Sequence, residues 1–389
     1  MSRGAPFSHY FVDALARAQA DESSFGDAVR KGLPQALYDE ALNAIPQWPG
    51  YEPTPLHAMP GQAALAGLAG IACKDEGARF GLGSFKALGG AYAVRVLAAR
   101  RQGPLTVACA TEGNHGRSVA WGAQQAGARC VIFLHERVSP GREQAIAKYG
   151  AEIRRVPGNY DDAVLACARV AEEEGWTIVS DTTWPGYEEI PSIVMAGYGV
   201  MLQETLGQLT QTPTHVFLQA GVGGMAAAVM AAFHYLHDGP MPKFIIVEPR
   251  NAACILASVR HGGRLTTVTG KLETVTAGLA CGAPSPLALS IINSGAHAVL
   301  AVDDDAVIEA MRALARPAAG DPAVVAGASG AAGLAGLRAV MQNNGLREQL
   351  AIGPDSHALI INTESDTDRS DYLALMGSGL EPEGGPART

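Results

Sequence analysis

Short apolar runs alternate with amphipathic stretches through the middle of the chain. Short runs rich in Val, Ile, Phe and Leu predict strands, whereas apolar residues spaced three and four apart predict helices. The predicted strands of this first series are Thr106–Thr111, Arg129–His135, Glu152–Val156 and Thr177–Asp181, and the predicted helices are Asn114–Gly127, Pro140–Gly150 and Tyr160–Gly175. Strands alternating with helices at this spacing predict right-handed βαβ units and a parallel sheet.

A second series follows with the same alternation. Its predicted strands are His215–Gln219, Lys243–Glu248, Ala298–Val302 and His357–Thr363, and its predicted helices are Met225–His237, Ala253–His261, Asp304–Leu314 and Gly330–Gln342. Two earlier apolar segments, Thr54–Leu56 and Gly70–Asp75, are expected to pair with this second sheet. We therefore predict an α/β protein with a large domain built from residues 1–84 and 185–376 and a smaller α/β domain, residues 85–184, inserted into it. Residues 377–389 are rich in Gly, Pro and Glu and are predicted to be a disordered tail.

Composition narrows the class of protein. The 389 residues are 48% hydrophobic, and at ~100–200 residues per domain this length fits two domains or one large two-layer unit. The formal charge of −9 disfavours binding to nucleic acid or to anionic lipid surfaces. No apolar run approaches the ~20 residues of a membrane helix, and the first residues lack the apolar segment of a signal peptide. We expect a soluble, cytoplasmic protein.

Cysteine and histidine positions give no metal-binding pattern. The six cysteines form no C-x-x-C pair, which argues against a zinc ribbon or a disulfide scaffold and favours buried thiols. His234 and His237 are three apart on a predicted helix and could bind a metal, but a polar helix face explains them more simply. We expect no metal site.

Three loops that join a strand or an extended segment to a helix contain the candidate chemistry, because α/β proteins bind ligands at such loops. The first is Gly83-Ser84-Phe85-Lys86, which precedes a predicted helix over Ala87–Arg101. Lys86 is either a surface lysine whose stem covers apolar surface or a lysine whose pKa is lowered by burial and by the helix N-terminus, so that it can form a Schiff base.

The other two loops each allow two interpretations. In Thr111–Gly116, Asn114 either only caps the following helix or also hydrogen-bonds a ligand, and Glu112 is either a solvated charge or a functional acid. The glycine loop Gly221–Met225 can bind a phosphate at a helix N-terminus. It also fits the dinucleotide pattern G-x-G-x-x-A, with Glu248 as the carboxylate for a ribose.

Taken together, the loops supply a nucleophilic lysine, an amide for a ring hydroxyl and a phosphate site, which are the parts that pyridoxal phosphate requires. At these positions the chain resembles the fold type II (β-family) pyridoxal phosphate enzymes, which include the tryptophan synthase β-like enzymes and the threonine/serine dehydratases. Within this family it is most similar to the diaminopropionate ammonia-lyases. The matching segments are RFGLGSFKALGGAY (79–92), TEGNHGR (111–117), DTTWPGYEEIP (181–191), the glycine loop, VEP (247–249) and NTESD (362–366).

The resemblance implies a fold and a set of site residues. It implies two open, twisted, mostly parallel sheets flanked by helices, with pyridoxal 5'-phosphate in the cleft between two domains. The residues implied in cofactor binding are Phe85, Lys86, Asn114, Gly221, Val222, Gly223, Gly224 and Met225, with Asn362 or Thr363 near the pyridine nitrogen. Those implied in substrate binding are Ser84, Thr111, Glu112, Gly113, His115, Asp181 and Tyr187. Lys86, Glu112 and Asp181 are implied to be catalytic.

The implied reaction is α,β-elimination of D- or L-2,3-diaminopropionate, through 2-aminoacrylate, to pyruvate and two ammonia. The ammonia-lyases resembled here have aspartate at position 112, so the longer Glu112 can shift the carboxylate by more than about 1 Å and change the stereoisomer that is used. The related dehydratases have no acid at that position and an arginine in place of Leu88. A dehydratase or a lyase of another β-substituted alanine is the alternative within the class, and an NAD-binding dehydrogenase or nucleotide-binding protein is the alternative outside it. The expected partners are a small amino-acid substrate and a second copy of the chain, as a homodimer.

Overall fold

The computed structural model describes residues 12–16, 21–111, 113–317 and 320–377. The strands are β1 (Val12–Ala16), β2 (Leu56–Ala58), β3 (Gly70–Asp75), β4 (Thr106–Ala110), β5 (Arg129–His135), β6 (Glu152–Val156), β7 (Thr177–Ile178), β8 (His215–Gln219), β9 (Lys243–Pro249), β10 (Ala296–Val302) and β11 (His357–Asn362). The helices are α1 (Glu22–Gly32), α2 (Gln35–Ala44), α3 (Pro60–Ala66), α4 (Gly90–Arg100), α5 (Asn114–Ala126), α6 (Pro140–Ala147), α7 (Tyr160–Glu174), α8 (Glu189–Gly197), α9 (Gly199–Gln208), α10 (Gly224–Leu236), α11 (Cys254–Arg260), α12 (Pro286–Gly295), α13 (Asp304–Ala315), α14 (Ala328–Gln342), α15 (Asn344–Leu350) and α16 (Arg369–Met376).

The strands form two sheets. The larger sheet has the strand order β1-β10-β9-β8-β11-β3-β2, in which the edge strands β1 and β2 are antiparallel and the others are parallel. The smaller sheet has the order β6-β5-β4-β7 and is parallel throughout. The predicted α/β class with two mostly parallel sheets is confirmed.

The central strands of the larger sheet are buried on both faces. Every residue of β8 is buried, and its side chains alternate between two hydrophobic clusters: Val216 packs in the cluster that contains Val229 of α10, whereas Phe217 packs in the one that contains Leu334 of α14. This division follows from the two-residue repeat of a strand, and helices on both faces are typical of parallel sheets. Both faces of the sheet at the C-terminal ends of its strands are therefore enclosed by protein.

All strands of the smaller sheet lie within one continuous segment, residues 106–178. The strands of the larger sheet lie before and after this segment in the sequence. Val107 and Ile132 of the smaller sheet share a hydrophobic cluster with Val216 and Ile246 of the larger one. The domain limits at 84/85 and 184/185 stay a prediction. Residues 378–389 of the predicted tail lie outside the described residues.

Several elements differ from the prediction. The predicted strand Thr177–Asp181 ends at Ile178, and the predicted helix over Ala87–Arg101 begins only at Gly90, because Phe85–Leu88 forms a separate 3₁₀ turn. Helices α8 and α9 were not predicted; most of their residues are buried, so they lack the amphipathic repeat that marks a surface helix. Among the described residues, the helices are too short or too polar for one to cross a bilayer.

Candidate active site

The segment before Lys86 is held by a buried ion network. The Arg79 guanidinium, 1% exposed, donates to the carboxylates of Glu76 and Glu204 over 2.7–2.8 Å, and Lys74 donates to Glu204 over 2.8 Å. Charged groups in such a site are stable only when paired and hydrogen-bonded, as these are. The network therefore fixes the chain at Arg79, four residues before the start of the lysine loop, Gly83–Lys86.

Lys86 pairs with Asp181. The Lys86 Nζ lies 2.6 Å from Asp181 Oδ2, and the two side chains are 22% and 23% exposed. Burial alone would lower the pKa of Lys86, but the Asp181 carboxylate outweighs it and raises the pKa above its ordinary value. Burial likewise works against ionisation of Asp181, yet Lys86 and then His115 hold its pKa well below the ordinary value. The predicted lowering of the Lys86 pKa is wrong for this arrangement, because a carboxylate distant in sequence is its neighbour.

Two further polar groups lie beside this pair. His115 Nε2 is 2.9 Å from the Val179 carbonyl and must carry the proton there, which leaves Nδ1 facing Asp181 Oδ2 at 3.8 Å. Burial is the main reason that the pKa of His115 is lowered, and the Asp181 carboxylate partly opposes this effect. The ring of Tyr198 lies 6.0 Å from Lys86 Nζ, and its buried hydroxyl has no hydrogen-bond partner among the described residues. Sequence reasoning missed Tyr198, since it lies in an apolar stretch with no motif.

The second loop is shaped by Thr111. Its Oγ1 accepts hydrogen bonds from the amides of Gly113 and Gly116 at 3.1 and 3.2 Å. A Cβ on Gly116 would lie 2.2 Å from Thr111 Cγ2, so a glycine is required there. Asn114 Nδ2 donates to Glu364 Oε2 over 2.5 Å, which links this loop to the end of β11. Glu112 lies outside the described residues.

The glycine loop begins helix α10. Gly223 has φ +91°, and a Cβ there would lie 2.9 Å from Ile292 Cδ1. A Cβ atom placed on Gly224 would lie 3.4 Å from the carbonyl oxygen of Asp181. The glycine loop is therefore next to the Lys86–Asp181 pair. Amides of a first helical turn have no acceptor within the helix and bind anions. The loop can therefore hold a phosphate beside the lysine.

Glu248 does not have the position that the dinucleotide interpretation requires. Its carboxylate is fully buried and accepts the amides of Ile255 and Leu256, each at 2.8 Å, at the start of α11. Burial raises the pKa of Glu248 to about 8, and these hydrogen bonds only partly oppose the rise. The group caps a helix and is not available to a ribose, so the dinucleotide hypothesis is wrong on this point.

Asn362 and Thr363, the two predicted partners of the pyridine nitrogen, lie at the end of β11 and differ in their hydrogen bonds. Asn362 Nδ2 donates to Asp75 Oδ1 at 2.7 Å and to the Val325 carbonyl at 3.2 Å. The Thr363 carbonyl accepts the amide of Phe85 at 3.1 Å, next to Lys86, and Thr363 Oγ1 accepts from Gln219 Nε2 at 3.0 Å. The Asn362 amide nitrogen is thus occupied within the protein, while its Oδ1 has no partner among the described residues; Thr363 is bonded directly to the lysine loop.

Three other residues predicted for the site, Ser84, Phe85 and Tyr187, contact protein groups around the Lys86–Asp181 pair. Ser84 is buried and forms a backbone bridge with Glu364, and the ring of Phe85 packs against that of Tyr198 at an angle of 53°, with centroids 4.7 Å apart. The Tyr187 hydroxyl donates to the Ile178 carbonyl and accepts the amide of Ser180. Its hydroxyl therefore orients the segment leading to Asp181, and the contact of Tyr187 with substrate stays a prediction.

Residues missed by sequence reasoning join the loops. Arg117 donates to the carbonyls of Leu82 and Thr367 and so ties α5 to the lysine loop and to the end of β11. Glu364 accepts from Asn114 and from the amide of Ser329. Arg117 and Glu364 both lie within segments that match the family, TEGNHGR and NTESD. Their position in these segments is the sequence feature that could have identified them.

The site combines an amine, an adjacent carboxylate and a glycine loop for an anion. Such a set fits pyridoxal phosphate, which carries an aldehyde for a lysine, a phosphate, a ring hydroxyl and a pyridine nitrogen. The unpartnered Tyr198 hydroxyl and His115 Nδ1 are buried polar atoms that a ligand can satisfy. Among the described residues, no group of three or more potential metal ligands lies together.

Comparison with known proteins agrees with this chemistry. Residues 47–364 match the family described as pyridoxal-phosphate dependent enzyme. The chain is 40% identical to the diaminopropionate ammonia-lyase of Escherichia coli strain K12 over 356 residues, which cover 85% of this chain and 88% of that protein.

Solved structures of an Escherichia coli diaminopropionate ammonia-lyase superpose on the fold. One is in complex with the aminoacrylate-pyridoxal phosphate azomethine reaction intermediate, with a TM-score of 0.83, 36% identity, and coverage of 96% of this chain and 98% of that one. Another is in complex with D-serine, with a TM-score of 0.83, 35% identity, and coverage of 95% and 98%. The chain belongs to the fold type II pyridoxal-phosphate dependent enzymes, in the group of the diaminopropionate ammonia-lyases.

Proposed function

We propose that this enzyme catalyses the α,β-elimination of 2,3-diaminopropionate. One molecule of substrate and one of water give pyruvate and two ammonia, through free 2-aminoacrylate, which hydrolyses. The observation that carries the proposal is the Lys86–Asp181 pair, an amine held 2.6 Å from a carboxylate at the mouth of the glycine loop. The ammonia-lyases to which the chain is similar support the choice of substrate.

Residues of all three loops and of the end of β11 would hold the cofactor. Lys86 would bind it covalently, Asn114 would meet the ring hydroxyl, and the amides of Gly221–Met225 would bind the phosphate. Thr363 would face the pyridine nitrogen, because the donor group of Asn362, its amide nitrogen, is already bonded to Asp75 and Val325.

Bound pyridoxal phosphate supplies an electron-accepting ring that acidifies the Cα proton of a bound amino acid. The Lys86 amine can take that proton on its own face of the substrate. Since Asp181 favours the ammonium form of Lys86, the amine holds the proton once it has accepted it. Glu112 is the proposed base on the opposite face, and this assignment gives the two enantiomers different bases.

The β-amine leaves as ammonia from its protonated form, so the site needs an anionic partner that keeps this amine an ammonium until the C–N bond breaks. Asp181 is ionised throughout the neutral range, because Lys86 and His115 keep its pKa low against the effect of burial. A carboxylate in this state binds an ammonium through a charge-assisted hydrogen bond. Asp181 therefore selects a β-amino group over a β-hydroxyl group.

A substrate panel tests the proposal. Release of the 2-oxo acid, pyruvate from diaminopropionate and serine and 2-oxobutanoate from threonine, should be fastest with D- or L-2,3-diaminopropionate and slower with the serine and threonine enantiomers. Faster turnover of serine or threonine would favour the dehydratase alternative, and no pyruvate from any β-substituted alanine would contradict the function.

The same panel, run with Glu112→Gln, tests the assignment of faces. Loss of a general base costs about 10²–10⁴-fold in rate, so one diaminopropionate enantiomer should lose about that much and the other less. Near-parental kcat/KM values for both enantiomers would reject the catalytic role of Glu112.

The glycine loop gives a separate prediction about cofactor affinity. Gly223→Val places a side chain at φ +91° and within contact of Ile292, so the loop must shift away from the phosphate. Pyridoxal phosphate should bind roughly tenfold or more weakly, a change of ~1.4 kcal/mol or more. Absorbance titration measures the affinity. Gly207→Val, at an exposed glycine of α9 with open space around it, is the control and should bind as the parent does. Parental affinity in Gly223→Val would mean that the loop does not hold the phosphate.

We further propose that the enzyme is a cytoplasmic homodimer. Five of the six cysteines are buried thiols, which is typical of proteins in reducing compartments. Light scattering of the purified protein measures its mass against the 40.3 kDa of one chain.

A further inference from the structure

Gln219 is the last residue of strand β8, two residues before the glycine loop, and it faces Thr363. The two side chains are 2% and 3% exposed. Gln219 Nε2 lies 2.8 Å from the Ile361 carbonyl, 3.0 Å from Thr363 Oγ1 and 3.4 Å from the Gly330 carbonyl. No step of the proposed reaction uses this side chain.

The surroundings determine which way the Gln219 amide faces. Carbonyl oxygens only accept hydrogen bonds, so the nitrogen and not the oxygen of the amide must face Ile361 and Gly330. An amide nitrogen has two hydrogens, and the two shortest contacts use both of them. Gln219 therefore donates one hydrogen bond to Ile361 and one to Thr363.

This arrangement determines the direction of the Thr363 hydroxyl proton. Because Oγ1 accepts from Gln219, its own proton is directed elsewhere, and among the described residues no hydrogen bond donated by it is found. A hydroxyl that donates to a pyridine nitrogen requires a free lone pair on that nitrogen, whereas one that accepts would require a protonated ring.

We propose that Gln219 is a positioning residue that orients the Thr363 hydroxyl as a donor and so keeps the cofactor's pyridine nitrogen unprotonated. The inference rests on the proposed function, in which Thr363 faces that nitrogen. An unprotonated ring draws fewer electrons from Cα than a pyridinium does, and Gln219 thus helps to set the electron demand of the site without touching the cofactor.

The test is the ¹⁵N resonance of the holoenzyme reconstituted with ¹⁵N-labelled pyridoxal phosphate. In the parent we expect the resonance of a neutral pyridine. In Gln219→Glu, a protonated carboxyl group would donate its one proton to the Ile361 carbonyl, and an ionised carboxylate would have no proton to donate. In both states a carboxyl oxygen that can only accept a hydrogen bond would face Thr363. The hydroxyl proton then turns away from the ring, and the resonance should shift toward that of a pyridinium.

Two further variants make each outcome decisive. Thr363→Val removes the hydroxyl and should move the resonance, and if it does not, Thr363 does not face the nitrogen and that part of the proposed function fails. If Thr363→Val moves the resonance and Gln219→Glu leaves it at the parental position, the role of Gln219 is rejected.

Gln219→Met fills the same space without a donor and replaces Gln219→Glu if that protein does not fold. Its resonance should depend on pH, and a parental resonance at every pH would overturn the proposal. Pyruvate release, measured in parallel, tests the reaction independently.

Discussion

Lys86→Ala should abolish pyruvate formation, with a loss of roughly 10⁴-fold or more, the scale seen when a covalent catalyst is removed. The protein should also lose the yellow colour of the bound cofactor and the label that borohydride fixes on the chain. The physical reason is that Lys86 would supply both the covalent link to the cofactor and a base for the Cα proton. The stopped assay for pyruvate and the visible spectrum measure the two losses separately.

Two variants separate these roles from the charge of the lysine. In Lys86→Ala, Asp181 loses the cation that lowers its pKa, and burial then raises that pKa, so some stability is lost as well. Lys86→Arg keeps the cation beside Asp181 but has no amine for the cofactor, and it should be as inactive as the alanine variant while unfolding closer to the parent. Lys148→Ala, at an exposed lysine, is the control for the loss of a lysine. Substantial pyruvate formation by Lys86→Arg would show that Lys86 is not the covalent residue.

Asp181→Asn should lower kcat/KM for diaminopropionate by about 10²–10⁴-fold, the range for loss of a catalytic acid–base group. The carboxylate lies 2.6 Å from Lys86 Nζ and is proposed to hold the β-amine in its ammonium form, from which ammonia departs. Asparagine keeps the shape but not the charge. Without the carboxylate, burial acts unopposed on Lys86, so the pKa of Lys86 should fall and the pH profile of kcat should shift to lower pH.

The leaving group provides the discriminating comparison for Asp181. β-Chloroalanine expels chloride, which needs no proton and no anionic partner, so Asp181→Asn should slow it much less than diaminopropionate. Asp161→Asn, at an exposed aspartate of α7, should leave both rates at the parental values. Equal losses for the two substrates would instead indicate that Asp181 acts only through Lys86.

The sequence alone was sufficient for the α/β class and for most strands. Strands Arg129–His135, Glu152–Val156, Gly70–Asp75 and His215–Gln219 were predicted with the bounds that the structure has. This success has a local cause, since a buried parallel strand is a short apolar run that any window along the chain reveals. The glycine loops were visible for the same reason, because a positive φ or a close approach demands glycine itself, as at Gly223.

Only the tertiary structure decided which side chains meet. Lys86 and Asp181 are 95 residues apart, and Gln219 and Thr363 are 144 apart, so no local pattern records either contact. The wrong prediction for Glu248 has the same cause. Glu248 has the sequence position of a ribose-binding acid, but in the folded chain its carboxylate accepts hydrogen bonds from amides of α11. Hydrophobic periodicity reports which residues are buried and not what they are buried against. The pKa of Lys86 and the direction of the Thr363 hydroxyl depend on neighbours supplied by the packing of two sheets, and therefore on the folded chain.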